Sequence, residues 1–239
     1  MRDLAVPPLG PLPAAVPALG RLAPVLRLLG AQQDSWPPRT PQQVVRWSAA
    51  GAAGSAEDAL EAGALAADAL ADRGVDLVVV PGTGSTREAL VVLAALLGRD
   101  PVAVVGTGGA PGWAALVAGV RDGLRAARPH LADPPALLEA TGAYDVAELA
   151  GLLLQSAVRR TPVLLSPATD VWAAALVARR VQRASAAWLI AGCSARSDTV
   201  RAALTELALT PVLDLGLDQP AAVELALGVL LGGVELARA

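Results

Sequence analysis

The sequence predicts an α/β fold in which a mainly parallel, Rossmann-like sheet lies between two layers of helices. Short apolar runs that suit buried strands alternate with longer helical patterns, and glycine-rich turns directly follow two of these runs. Such an alternation is typical of βαβ units, whose strands run parallel. The chain is 54% hydrophobic but only 3% aromatic and has no Phe, so the core of this three-layer fold must consist of Leu, Val and Ala.

The N-terminal part of the chain, residues 1–55, is rich in Pro and Ala and predicts a segment with one helix. Leu19–Gly30 supplies that helix, because its apolar residues recur at helical spacing and its final glycine is a natural stop. A short strand, Val44–Trp47, precedes a low-complexity joint that ends at Ser55. We therefore divide the chain into this segment and an α/β domain, residues 56–239.

Strands and helices alternate almost regularly within the α/β domain. Polar or acidic residues mark the helix starts, and Gly or Arg marks several helix ends, as capping and the helix dipole favour. The predicted helices are Glu57–Arg73, Glu88–Leu97, Trp113–Arg128, Asp145–Arg160, Asp170–Ala184, Thr199–Leu209 and Ala221–Ala237. The predicted strands are Asp76–Val80, Val102–Val105, Pro162–Leu165, Ala187–Ala191 and Pro211–Leu215. Arg128–Pro135 is predicted to be a loop.

Charge and composition exclude several classes of function. The net charge of −3 argues against a polyanionic partner such as DNA or RNA. All 19 basic residues are Arg, which excludes a Walker P-loop, a pyridoxal Schiff base and a lysine base. With one Cys, Cys193, and one His, His130, a disulfide framework and a Cys- or His-rich metal site are not expected. We predict neither a bound metal nor a cofactor.

Hydropathy predicts no membrane partner. The N-terminus carries prolines where a signal peptide needs a continuous apolar segment. Leu225–Val234 is the nearest approach to a membrane span, but it is too short and is bounded by Glu224 and Glu235. A cytoplasmic location is therefore expected.

Two glycine-rich turns contain the candidate binding residues. Where a strand leads into a helix, free backbone N–H groups can hold a phosphate, and such turns meet at the carboxyl edge of a parallel sheet. The predicted phosphate- or nucleotide-binding residues are Gly82, Thr83, Gly84, Ser85, Thr86, Gly106, Thr107 and Gly108. Neither turn completes a dinucleotide fingerprint, because Arg87 and Pro111 occupy glycine positions. The alternative is that both are ordinary βα turns.

Other polar residues have structural explanations. His130 lies in a Pro-bounded loop and is expected at the surface, whereas Cys193 follows a buried strand and is expected to be a packed thiol. Asp145 and Glu148 stand three residues apart at a helix start, where capping is the expected role. Asp214 lies within an apolar run, where a charge needs a partner, so it is expected to have a structural, hydrogen-bonded role.

Several segments, taken in order, resemble the nicotinate-nucleotide:dimethylbenzimidazole phosphoribosyltransferases. Thr141–Gly151, TGAYDVAELAG, resembles the family's GG-x-E/D-I-A-x-x-x-G segment, and Arg160–Leu176 is similar to R-x-PVVLDGFISTAAAL. Thr210–Leu217, TPVLDLGL, is close to PLLDLGL. Upstream, Glu61–Thr86 resembles a family helix followed by the GEMGIGNTT turn, and Leu19–Pro38 resembles the N-terminal LGRLE…IQG segment. The resemblance covers most of the chain.

The resemblance implies a reaction and a ligand set. Members of this family transfer phosphoribose from nicotinate mononucleotide to a benzimidazole base, giving the α-ribazole phosphate of cobalamin biosynthesis. By this resemblance the phosphate would be held by Gly82–Thr86 and by Gly106–Gly108, with no cofactor. It also implies a homodimer.

Departures from the family pattern fall on catalytic positions. The family's general base, a Glu after the last strand, falls on Ala221, and Glu224 is the nearby candidate for a substitute. The Glu of GEMGIGNTT falls on Val80, a family Lys falls near Val117, and the DGF motif is replaced by Ser166-Pro167-Ala168. A long family segment is also missing between Val45 and Glu57. Two functions therefore stay open: an impaired phosphoribosyltransferase, or an inactive paralogue that acts as a nucleotide-binding or regulatory partner.

Overall fold

A parallel four-stranded sheet is the centre of the structure, a computed structural model that describes residues 5–9, 17–51, 53–84, 86–106, 108 and 111–238. The strands are Val44–Arg46 (β1), Leu77–Val80 (β2), Val163–Leu165 (β3) and Leu189–Ala191 (β4). Their order in the sheet is β1-β2-β3-β4, so each connection crosses over to the next strand. The predicted α/β class with a parallel sheet is confirmed.

Side chains alternate along the strands, so the residues of the sheet belong to two hydrophobic clusters, one on each face. Val78, Val80 and Leu165 belong to one hydrophobic cluster, whereas Val79 and Leu164 belong to another. Since successive strand residues point to opposite faces, both faces of the sheet are covered. The continuous apolar run of β2, which is buried at every position, follows from this arrangement.

Helices form the outer layers. They are α1 (Ala23–Gln33), α2 (Ala56–Asp72), α3 (Arg87–Leu97), α4 (Pro101–Val105), α5 (Trp113–Ala127), α6 (Pro134–Thr141), α7 (Tyr144–Val158), α8 (Thr169–Val181), α9 (Asp198–Leu207) and α10 (Ala222–Arg238). Short 3-10 turns lie at Pro17–Leu22, Arg128–His130 and Arg183–Trp188. Residues of α2, α7, α8 and α9 contribute to the cluster on one face of the sheet, and residues of α1 and α10 to the cluster on the other. The three predicted layers are therefore present.

Two glycines allow α2 and α7 to cross in close contact. A Cβ atom built on Gly63 would lie 1.8 Å from the carbonyl oxygen of Glu148, and one on Gly151 would lie 2.0 Å from the carbonyl oxygen of Leu60. No side chain fits at either position without moving a backbone. The backbones of α2 and α7 are therefore in direct contact, and α7 is almost entirely buried.

Two predicted strands are wrong. Val102–Val105 lies in helix α4, because Asp100 accepts a hydrogen bond from the N–H of Val102 and Pro101 occupies the first helical turn. A four-residue apolar run does not distinguish strand from helix by periodicity. In Pro211–Leu215, the structure shows only an isolated parallel bridge between Leu213 and Cys193.

The predicted loop Arg128–Pro135 is partly helical. It contains the 3-10 turn Arg128–His130, and its last two residues begin α6. Asp133 caps α6 by accepting from the N–H of Ala136, and prolines fill the first helical positions. Because α6 is only eight residues long, its apolar pattern was too short to identify from sequence.

The N-terminal segment contributes to the same sheet and core. β1 pairs with β2 from Val44 opposite Leu77 to Arg46 opposite Val79. α1 packs into the cluster that also contains α10. The division of the chain at residue 55 stays a prediction from composition. Within the part of the chain that the structure describes, every helix is too short or too polar to span a bilayer.

Candidate functional site

Loops at the carboxyl ends of the strands form the candidate site. Since β1 to β4 are parallel, the loops that begin after Arg46, Val80, Leu165 and Ala191 lie at one edge of the sheet. The first predicted turn, which begins at Gly82, is one of these loops. The position expected for this turn is therefore confirmed, whereas its ligand stays a prediction.

An internal carboxylate occupies this turn. The carboxylate of Asp170, at the start of α8, accepts hydrogen bonds from the N–H of Thr83 at 2.7 Å, the hydroxyl of Thr83 at 3.0 Å and the N–H of Gly84 at 3.3 Å. Asp170 is 4% exposed. The turn therefore has the geometry of an anion site, but the anion is a side chain of the same chain.

Gly82 shapes the cradle around this carboxylate. Its φ of 73° lies in the left-handed region, and a Cβ there would lie 2.6 Å from the Cγ2 of Val171 and 2.8 Å from an oxygen of Asp170. Thr86 has a different role, because its hydroxyl accepts from the N–H of Ala89 and caps α3. Ser85 lies outside the described residues.

The surroundings of the turn are acidic. Burial raises the pKa of the Asp145 carboxyl, and the charges of Asp170 and Glu88 raise it further. A phosphate at Thr83 and Gly84 would have to replace the Asp170 carboxylate and approach these other acids. Phosphate binding at Gly82–Thr86 stays a prediction, with Asp170 as the internal competitor.

The second predicted turn does not follow a strand. Gly106 ends helix α4 with a φ of 86°, and its carbonyl accepts a hydrogen bond of 2.9 Å from the indole N–H of Trp113. Gly108 is exposed and lies against the Trp113 ring. Thr107 lies outside the described residues. The interpretation of this stretch as a βα turn is wrong, because the preceding apolar run is a helix.

Glu224 is held by an arginine. It lies in the first turn of α10, and its two carboxylate oxygens accept hydrogen bonds of 2.6 Å each from the Nε and Nη2 of Arg46, the last residue of β1. The hydrogen bond from Arg46 lowers the pKa of Glu224. This carboxylate is therefore a weaker base than an unpaired one. Ala221, the position of the family's general base, lies just before α10 and is exposed.

Polar contacts also join neighbouring loops at this edge. The hydroxyl of Ser166, after β3, donates to the carbonyl of Pro81, after β2, at 2.6 Å. The carboxylate of Glu148 accepts from the N–H groups of Ala50 and Gly51, both at 3.0 Å, and so holds the loop that follows β1. The expected capping role of Glu148 is wrong, because its partners lie in that distant loop.

Sequence reasoning missed Asp170 and the loop contact of Glu148. The sequence pattern places Asp170 only at the start of a helix, although an acid in the first helical turn after a strand is an available signal. Which turn its carboxylate contacts depends on the alignment of β2 beside β3. Sequence contains no direct signal for that contact.

The remaining polar candidates lie elsewhere. Cys193 is buried, its Sγ donates to the carbonyl of Ala222 at 3.2 Å, and burial raises the pKa of its thiol. His130 is partly exposed in a 3-10 turn. Asp214 has the charged partner that was expected, since its carboxylate lies 3.7 Å from Arg21, but its side chain is 63% exposed and the contact is a surface ion pair.

Comparison with known proteins points to one group of enzymes. A family model described as phosphoribosyltransferase matches residues 45–223. A protein of Streptomyces avermitilis named nicotinate-nucleotide–dimethylbenzimidazole phosphoribosyltransferase is 38% identical over 224 residues, which are 87% of this chain and 59% of that protein. A Mycobacterium avium protein of the same name is 46% identical over 164 residues, 66% of this chain and 47% of that protein. The chain thus spans about half the length of the curated relatives it matches.

Solved structures share the fold. The crystal structure of CobT from Thermus thermophilus superimposes with a TM-score of 0.76 at 24% identity, covering 92% of this chain and 91% of that chain. A second structure, of the nicotinate-nucleotide-dimethylbenzimidazole phosphoribosyltransferase from the same organism, gives a TM-score of 0.77 at 24% identity, covering 95% and 92%. At this identity the likeness is evidence for the fold alone.

Proposed function

The chain belongs to the nicotinate-nucleotide:dimethylbenzimidazole phosphoribosyltransferase family, and on that premise we propose that it transfers phosphoribose from nicotinate mononucleotide to a benzimidazole-like base. The product would be the α-ribazole phosphate of cobalamin biosynthesis. The observation that carries the proposal is the family match over residues 45–223, which includes every loop at the carboxyl ends of β1 to β4. A cytoplasmic location and a homodimer are parts of the same proposal.

The nucleotide phosphate would bind at Gly82–Thr86. Three donors of this turn already converge on one carboxylate, which supports an anion-binding geometry. Entry of the phosphate requires the Asp170 side chain to leave, because one set of N–H groups cannot serve both anions. This competition lowers the affinity for the nucleotide.

Turnover would be slow because neither position considered for the general base, Ala221 or Glu224, offers a free carboxylate. Ala221 occupies the family's base position, and the Glu224 carboxylate is engaged by Arg46. Loss of a general base costs a factor of about 10² to 10⁴ in rate. These same residues favour the second candidate function, an inactive paralogue that binds the nucleotide without transferring it.

A product assay tests the transfer. The purified protein is incubated with nicotinate mononucleotide and 5,6-dimethylbenzimidazole, and α-ribazole phosphate is quantified by mass spectrometry. We expect slow formation that is proportional to protein, and a rate at least tenfold higher for Ala221→Glu, which returns a carboxylate to this position. If neither protein forms product above a no-protein control, the transferase proposal is wrong.

A binding assay tests the phosphate position separately. Nicotinate mononucleotide is expected to raise the Tm of the wild type, and to raise that of Asp170→Ser further because the competing carboxylate is gone. Asp122→Asn is the control, since that acid is exposed on α5. A Tm increase without product supports the inactive paralogue. No increase for either protein at millimolar nucleotide contradicts binding at this turn.

A further inference from the structure

A cavity of about 340 Å³ lies where helices α3, α8 and α9 end. It is called the arginine cavity here. Helices α3 and α8 begin at the candidate functional site, since Thr86 caps α3 and Asp170 lies in the first turn of α8. The arginine cavity lies at the opposite ends of both helices, about 20 Å away along α8. It is therefore separate from the candidate functional site.

Arginine side chains dominate the wall of this cavity. Arg179, Arg180 and Arg183 line it together with one acid, Glu206. The carboxylate of Glu206 accepts a hydrogen bond of 2.6 Å from Nη1 of Arg179, so these two charges compensate each other. Arg180 reaches the carbonyl oxygen of Leu131 only at 3.5 Å, and neither Arg180 nor Arg183 forms an ion pair with any described residue. Two positive charges therefore face the cavity without a counter-charge.

Apolar atoms also line the arginine cavity. They belong to Leu96 of α3 and to Leu176 of α8, which is 5% exposed. The volume lies in the range of small-molecule sites, which begins at about 300 Å³. A bare phosphate ion would fill only part of this volume. The cavity thus offers space and apolar contact beyond what a simple anion uses.

We propose that the arginine cavity binds a small phosphate monoester. The phosphate of a monoester carries nearly two negative charges at neutral pH, because its second pKa is about 6, and so it matches the two uncompensated arginines. Guanidinium groups bind phosphate oxygens through paired N–H donors. Arg180 and Arg183 hold the phosphate, and the organic part lies against Leu96 and Leu176. This site goes beyond the proposed reaction and does not depend on it.

A role in stabilising α8 does not account for all three arginines. Arg179 and Arg180 lie in the last turn of α8, where the helix dipole favours positive side chains. Arg183 follows the helix, in the 3-10 turn Arg183–Trp188, and nevertheless lines the same cavity. A bound anion explains why positive charge is concentrated here in a chain whose net charge is −3.

Calorimetric titration tests the class of ligand. The probes are phenyl phosphate, phenyl sulfate and inorganic phosphate, each titrated into the wild type. Phenyl phosphate is expected to bind most tightly, because it alone combines a dianion with an apolar ring. Phenyl sulfate has the same shape but one negative charge, and its Kd is expected to be about tenfold higher or more. Inorganic phosphate lacks the ring and is also expected to bind more weakly.

Substitution of the arginines locates the binding site. Arg183→Gln and Arg180→Gln each keep a polar side chain but remove a positive charge. Each is expected to raise the Kd for phenyl phosphate about tenfold or more, because a charged donor to the phosphate is lost. Arg73→Gln is the matched control, since Arg73 is an exposed arginine at the end of α2 and does not line the cavity.

Glu206→Gln is expected to act in the opposite direction. It removes the acid from the wall and releases Arg179, so phenyl phosphate should bind about threefold tighter or more. A gain in affinity cannot result from a loss of folding. Asp198→Asn is the matched control, because Asp198 is also an acid of α9 that pairs with an arginine, Arg201, and it lies outside the cavity.

Four outcomes would overturn the proposal. The wild type could fail to bind phenyl phosphate at millimolar concentration, or Glu206→Gln could bind it more weakly than the wild type does. Equal affinities for phenyl phosphate and inorganic phosphate would assign the cavity to free phosphate instead of an ester. Unchanged affinity in both Arg180→Gln and Arg183→Gln would place the bound phosphate elsewhere. The assay for α-ribazole phosphate does not involve this cavity, so the transferase proposal and this one can fail separately.

Discussion

Asp170 shows how one side chain changes the chemistry of a predicted site. Its carboxylate lies in a glycine-rich turn and accepts three hydrogen bonds from Thr83 and Gly84. The sequence of the turn, with its glycines and hydroxyls, correctly indicated donors arranged for an anion. It did not indicate that the anion was already part of the chain.

Removing this carboxylate is expected to destabilise the fold. In Asp170→Ala the N–H groups of Thr83 and Gly84 lose their acceptor, and leaving such partly buried groups unpaired costs about 1–3 kcal/mol. Urea unfolding monitored by tryptophan fluorescence measures this loss, with Asp122→Ala as the exposed-acid control. An unchanged free energy of unfolding for Asp170→Ala would mean that water replaces the carboxylate without cost.

Asp145 predicts a pH dependence of stability. Because burial raises the pKa of its carboxyl in the folded state, the folded protein binds this proton more tightly than the unfolded chain does. The contribution of Asp145 to the free energy of unfolding therefore falls as the pH rises through the range of an ordinary aspartate to the raised pKa. Asp145→Asn should remove this decrease.

The test compares unfolding curves across pH. The stability of Asp145→Asn relative to the wild type is expected to increase as the pH rises from about 4 through the raised pKa of Asp145. Asp122→Asn, at an exposed position, provides the reference for general charge effects. A stability difference between Asp145→Asn and wild type that is constant over this range would show that burial does not perturb the carboxyl.

At the scale of elements, local sequence signals located most helices but not the contacts between them. Ser55 and Thr86 cap α2 and α3 as their residue types predict, since each accepts from an N–H three residues later. The error at Val102–Val105 has a different origin: a short apolar run fits a strand and a helix equally well. The Asp-Pro pair before it was the local signal that favoured the helix.

The glycine contact between α2 and α7 predicts a large effect of a small substitution. In Gly63→Ala the new Cβ would lie 1.8 Å from the Glu148 carbonyl oxygen, so the two helices must separate. We expect a loss of about 2 kcal/mol or more, because overpacking of this kind exceeds the helix propensity that Ala gains. Chemical denaturation measures it.

Gly228→Ala on α10 is the matched control. This glycine has open space, so the same substitution is expected to stabilise the free chain by up to about 1 kcal/mol. Both variants are measured at dilute protein, where association does not contribute. If Gly63→Ala were as stable as the wild type, the backbones of α2 and α7 could not be in contact.

At the scale of the whole molecule, the sheet separates two hydrophobic clusters. Val79 and Val78, neighbours in β2, pack into opposite cores. Cys193 lies in the core that contains α1 and α10, and its thiol bonds to the Ala222 carbonyl at the start of α10. Opening of that side of the molecule is therefore required to expose the thiol.

Thiol labelling measures this opening. We expect native protein to react with a disulfide reagent only at the rate of unfolding, because burial both shields Cys193 and raises the pKa of its thiol. In concentrated guanidinium chloride one thiol per chain should react at once. Leu65→Cys, at an exposed position, should label rapidly in the folded state. Rapid labelling of native wild type would contradict a closed core around α10.

What the sequence determined by itself was the class of fold, most helix positions, the location of the first turn and the family. Periodicity and capping residues act over a few neighbouring residues, and the family follows from the order of several short motifs along the chain. Tertiary structure alone decided that Asp170 fills the turn, that Arg46 binds Glu224 and that Glu148 holds the loop after β1. Each of these contacts joins residues far apart in the chain, and the pairing of parallel strands brings them to one edge.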